Sequence, residues 1–95
     1  MIALEEAIQI IKDAFLDDIG FCQPKNYRLF NKKDNTVAST VNILSLDVLF
    51  ALMEHDLVEN VYFHATASPA KSHLGPADFR FRLYVQFTVE VQGAA

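Results

Sequence analysis

At 95 residues, 52% of them apolar, with a formal net charge of −4, the chain has enough apolar content for a core, too little length for two ordinary domains, and too apolar a composition for disorder. The acidic balance argues against bulk affinity for nucleic acid, which normally shows as a basic domain. No apolar run reaches the ~18 residues of a membrane span, and the lone Cys22 excludes an intrachain disulfide or a multi-cysteine zinc site. Met1 leads into an acid-bearing helical pattern and not into a basic signal peptide. The expectation is a single cytoplasmic domain over 1–95, off the membrane, with no cofactor and no metal.

From Ile2 to Asp18, apolar residues recur at helical spacing. Leu4, Ile8, Ile11, Phe15 and Ile19 fall within about 80° on a helical wheel, with Ala7 and Ala14 beside them, and Glu5, Glu6, Gln9, Asp13 and Asp17 opposite. Gly20 is a helix stop. After Pro24, Tyr27–Asn31 and Thr36–Ile43 read as a hairpin joined by the polar turn Lys32-Lys33-Asp34-Asn35. Its parity turns Tyr27, Leu29, Val37, Val41 and Ile43 inward and Arg28 and Phe30 outward.

Ser45 is an N-cap ahead of a second helix, with Asp47 in the first turn, where the helix dipole favours an acid. Leu46, Leu49, Phe50, Met53 and Leu57 form one stripe, expected in the core. Val48 and Leu52 form a second stripe on the far side, expected to be covered by another subunit.

The strongest signal lies at the end of the chain. From Phe79 to Val91 every odd position is apolar, and the even positions read Arg80, Arg82, Tyr84, Gln86, Thr88 and Glu90. Seven matches to a period of two predict a long strand with one buried face. Val61, Phe63 and Ala65 alternate with Tyr62, His64 and Thr66 in the same way. Matching the faces of these two strands requires opposing residue numbers to sum to an even value; with Ala67 opposite Phe79, His64 falls opposite Arg82 and Tyr62 opposite Tyr84. The intervening Ser68–Asp78, with Pro69, Gly75 and Pro76, is long for a hairpin loop and is expected to exchange fastest and to serve as a lid.

The order αββαββ is that of a circularly permuted ferredoxin-like fold. It predicts an α+β domain: a four-stranded antiparallel sheet with two helices on one face and the last strand central. The alternating strands fit a sheet covered on one side only. The expected core comprises the first helix's stripe, Leu29, Val37, Val41, Leu46, Leu49, Phe50, Met53, Val61, Phe63, Phe81, Leu83, Val85 and Phe87.

Charge divides the same way. Residues 1–24 and 43–60, which hold the helices, each carry −4, whereas 25–42 carry +3 and 61–95 carry +1. The helical side is therefore acidic and the open sheet side mildly basic. Tyr62, His64, Arg80, Arg82 and Tyr84 share that open side. Guanidiniums and rings on one surface suit a small anionic ligand, and single-stranded RNA less well. The plainer account is an ordinary solvated face. His64 becomes more readily protonated when an anion binds beside it.

The other candidates are weaker. His55, His64 and His73 are nine residues apart, a spacing that fits no metal-ligand motif. His55 and Asp56 lack a neighbouring nucleophile and read as helix-end residues. Asp17 and Asp18 diverge by ~100° on a helix, and Cys22 reads as a small hydrophobe. Three glycines cannot supply a phosphate loop or a nucleotide-fold fingerprint.

Two readings follow. The first is a small non-catalytic homo-oligomeric interaction or ligand-binding module, with Val48, Leu52, Val89 and Val91 at the subunit interface. The second is a small enzyme or sensor acting on an anionic molecule at His64, Arg80, Arg82 and Tyr84. A third, weaker reading is an acidic module that binds a basic partner through its helical side.

Overall fold

The computed structural model describes residues 1–15, 27–41, 45–66 and 80–93, with only the backbone at Ala65, Thr66 and Arg80. Cys22, Asp17, Asp18, His73 and the proposed lid Ser68–Asp78 lie outside the described residues.

A short strand β1 (Ile2–Ala3) leads directly into helix α1 (Leu4–Ala14). No side chain caps this helix; Glu5 and Glu6 in its first turn and Lys12 in its last complement the helix dipole. Gln9 donates to Asp13 one turn on, at 2.8 Å. Strands β2 (Arg28–Asn31) and β3 (Thr36–Val41) form the hairpin. Asn31 organises the turn: its Oδ1 accepts the Lys33 N–H at 2.9 Å, and its amide donates to Asp34 at 2.8 Å. Asn35 takes φ of 55°, a left-handed conformation that Asn tolerates better than most residues. Helix α2 (Leu46–Met53) begins at Ser45, whose Oγ accepts the Val48 N–H at 3.3 Å. Strands β4 (Val58–Thr66), β5 (Arg80–Phe87) and β6 (Val91–Gln92) follow.

The main sheet runs β2-β3-β5-β4, antiparallel throughout, with α1 and α2 against each other and α2 against β4. The fold is α+β with the expected four-stranded antiparallel sheet, and β5 is central. The β4–β5 register is also as read from the sequence: His64 opposes Arg82 and Tyr62 opposes Tyr84. The core joins Ala7 and Ile11 of α1 and Phe15 at its C-cap, Val48 and Leu52 of α2, and Val37, Val41, Leu83, Val85 and Phe87 of the sheet.

The chain ends differ from the sequence reading. The first helix starts at Leu4, because Ile2 and Ala3 are extended. The last strand stops at Phe87, because its partners end there: β3 begins opposite Gln86 and β4 opposite Phe87. Backbone groups beyond that point need other partners. Phe87 and Thr88 donate to the carbonyls of Asn35 and Leu57 at 3.0 and 2.8 Å. Val91 and Gln92 then pair in parallel with Ile2 and Ala3.

The larger correction concerns α2. Val48 and Leu52 are 2% and 1% exposed and belong to the core, whereas Leu46, Phe50 and Met53 are 67%, 57% and 59% exposed. Every residue of this helix except Asp47 is apolar, so periodicity offers two stripes, and Asp47 lies between them on the wheel. Packing against α1 and β4 selects the smaller pair. Phe63, expected inside, is 43% exposed on the edge strand β4. Val91 is buried, and Val89 is partly buried against the core. Val48, Leu52 and Val91 are thus covered within one chain, the last alongside the N-terminal strand, and Val89 is covered in part.

Candidate functional site

The sheet face away from the helices is built in rows by the strand register. One row reads Tyr62, Tyr84, Ala38 and Arg28 across β4, β5, β3 and β2; the next reads His64, Arg82 and Thr40. Phe30 sits at an irregularity of the β2–β3 ladder between Leu29 and Asn31. It leans over the first row.

Tyr84 is the centre of this surface. Although on the outer face, it is only 9% exposed, because three rings surround it. Tyr62 stacks on it at 5.1 Å and 17° from parallel. Phe30 meets it edge-on at 5.1 Å and His64 at 5.9 Å. Ala38, directly across the ladder, leaves room for Phe30 to reach the tyrosine. Offset and edge-to-face aromatic pairs each contribute about 0.5–1.5 kcal/mol beyond area burial, so the cluster is firmly held. Its outer members remain accessible: Phe30 is 50% exposed and Tyr62 41%.

Charge on this face has one sign. Arg82 is exposed and directly opposes His64, which is also exposed; Arg28 is exposed about two strand spacings from Tyr84, roughly 10 Å away. No Asp or Glu stands in the two rows. Arg80 opens β5 opposite Thr66, at the edge of the described residues, so among the five sequence-predicted residues the register brings Tyr62, His64, Arg82 and Tyr84 together. Phe30 belongs with them. Its outward parity was the available signal; its tilt toward Tyr84 depends on the local irregularity of β2.

The surface can stack a ring and hold an anion. No serine, cysteine or carboxylate in the two rows is placed to give His64 a nucleophile to activate or an orienting partner. His55 is committed elsewhere: its Nδ1 accepts the Leu57 N–H at 3.1 Å, closing the turn after α2. Among the described residues, no group of three His, Cys, Asp or Glu could hold a metal ion, and no helix is long and apolar enough to cross a membrane. A separate hollow of about 290 Å³, lined by Lys32, Glu90, Val91, Gln92 and Gly93, carries opposite charges and no ring.

Comparison of the chain with protein-family models, with curated proteins and with solved structures finds no match.

Proposed function

We propose that the protein is a small non-catalytic binding module whose outer sheet face takes a planar anion, a molecule joining an aromatic ring to a carboxylate or phosphate. The observation that carries this reading is the cluster around Tyr84: a ring 9% exposed on an otherwise open face, with Phe30 and Tyr62 half-exposed around it. Arg82 lies opposite His64 on the adjacent strand positions. A flat ligand on the Phe30 and Tyr62 rings gains stacking without a pocket, and the Arg82 guanidinium offers a carboxylate or phosphate two parallel hydrogen bonds. The Arg82 guanidinium, with no acid in its row or in the row beside it, favours a bound anion that offsets its charge.

The test is titration with inorganic phosphate, a mononucleotide and an aromatic carboxylate, followed by backbone amide shifts. The ring-bearing anions should bind more tightly than phosphate and perturb β4 and β5. Arg82→Ala should weaken anion binding at least tenfold, and Tyr62→Ala should remove the preference for a ring. Equal, weak responses from the wild type and both variants would show that the face is merely solvated.

A further inference from the structure

Four of the exposed large apolar side chains belong to β4 and to α2, which packs against it. Among the described residues, β4 has a hydrogen-bonded neighbour, β5, on one side only, and at nine residues it is far longer than the other edge strand, β2, at four. A long strand edge presents N–H and C=O groups that another strand fits, although the Val61 N–H is already taken by Asn60 Oδ1 at 3.0 Å. Phe63 of this edge is 43% exposed, and α2, which packs against β4, turns Leu46, Phe50 and Met53 outward.

We propose that two copies of the chain pair β4 with β4 antiparallel about a two-fold axis at Phe63, joining their sheets and setting the two α2 helices side by side above the junction. This inference is independent of the ligand-binding reading.

The register accommodates a second copy as the occupant. The β4–β5 ladder is irregular between Val58 and Asn60 and regular from Asn60 to Thr66, and Phe63 is the midpoint of that regular stretch. Self-pairing there matches Asn60 with Thr66, Val61 with Ala65, Tyr62 with His64 and Phe63 with itself. Each pair joins residues of the same face, as a two-sided sheet requires. The strand's one acid, Glu59, falls in the irregular part, beyond the paired residues, so no like charges oppose each other along the edge.

The exposed apolar area can supply much of such an interface. Large side chains present ~150–250 Å² each, so the exposed fractions of Leu46, Phe50, Met53 and Phe63 amount to roughly 450 Å² per protomer. That is over half of the ~800 Å² per partner in a standard interface, before the strand backbone is counted. Asp47 and Glu54 flank the helical stripe, so the acids of the two copies approach one another and added salt should strengthen association. A basic partner on the same surface would be weakened by salt. On the outer face the pairing sets Tyr62 of one copy beside His64 of the other, so the two aromatic clusters become one surface.

Solution mass should be measured by light scattering from low micromolar to millimolar concentration, with and without added salt, alongside amide exchange of β4. The expected result is a dimer favoured by salt. In it, the amides from Tyr62 to Thr66 that do not bond to β5 become protected as the dimer forms. Phe63→Lys, which sets two ammonium groups at the axis, and Phe50→Glu, on the solvent side of α2, should each shift the protein to monomer. If Phe63→Lys impairs folding, Phe50→Glu and the exchange pattern remain as readouts. A monomer at every concentration overturns the proposal. So does a dimer whose outward β4 amides exchange freely, or one that survives both substitutions.

Discussion

The side-chain Oδ1 of Asn35 accepts the backbone N–H of Val91 at 3.4 Å, joining positions 56 residues apart. The backbone oxygen of the same residue accepts the Phe87 N–H at 3.0 Å. One turn residue thereby fixes where β5 stops and where β6 begins. It can do so because its φ of 55° aims both groups across the hairpin toward the chain end.

Asn35→Gly keeps the left-handed turn accessible and loses only the side-chain bond. Asn35→Ala loses the bond and strains the backbone as well, at about 1–2 kcal/mol for an L-residue in that region. Urea unfolding should therefore rank wild type above Asn35→Gly and Asn35→Gly above Asn35→Ala. The alanine variant should also speed amide exchange at Val91. Equal stability of the two variants would show that φ at this position is relaxed.

Ser39 lies on the inner face of β3 opposite Leu83, 4% exposed, and its Oγ has no hydrogen-bond partner among the described residues. A buried hydroxyl without a partner costs about 1–3 kcal/mol of desolvation. Ser39→Ala removes that cost at almost unchanged volume and should raise stability by about 1 kcal/mol or leave it level. A clear loss on thermal unfolding would mean that the hydroxyl is satisfied.

The two faces of α2 make opposite predictions. Leu52 is 1% exposed and Phe50 57%, so Leu52→Ala should cost about 2–5 kcal/mol as a core truncation. Phe50→Ala should change stability by no more than about 0.5 kcal/mol, as at other surface positions. Both are to be measured at dilutions where the protein is monomeric, because association stabilises the folded chain. A larger loss at Phe50 than at Leu52 would restore the face expected from the sequence.

What the sequence made legible follows from which patterns have one solution. Period-two alternation through β4 and β5 allows a single face assignment; parity leaves several registers open, and the one with Ala67 set opposite Phe79 pairs His64 with Arg82 and Tyr62 with Tyr84, as observed. Ser45 and the Asn35-containing turn are local signals and read correctly. The α2 face was not legible, because a helix apolar everywhere except Asp47 satisfies two stripes equally. The pairing of Ile2 with Val91 joins chain ends through two-residue strands, too short for any period to register. Tyr84 read as an outward tyrosine. Its burial arises from Phe30, Tyr62 and His64 on neighbouring strands, a fact of register and tilt that composition does not carry.

The outer face also predicts how the guanidinium and the rings divide the binding. Arg82 stands directly across from His64, and Tyr62 across from Tyr84. Arg82→Lys keeps a positive charge but loses the planar pair of donors that fits a carboxylate or phosphate. It should therefore bind an aromatic carboxylate less tightly than the wild type and more tightly than Arg82→Ala. His64→Ala leaves the guanidinium in place and removes only the edge-on ring 5.9 Å from Tyr84, so it should weaken binding less than Arg82→Ala does. Calorimetric titration of the three variants, at one pH and matched ionic strength, ranks them. If Arg82→Lys binds as tightly as the wild type, the surface offers the anion a charge and not a paired hydrogen-bond donor.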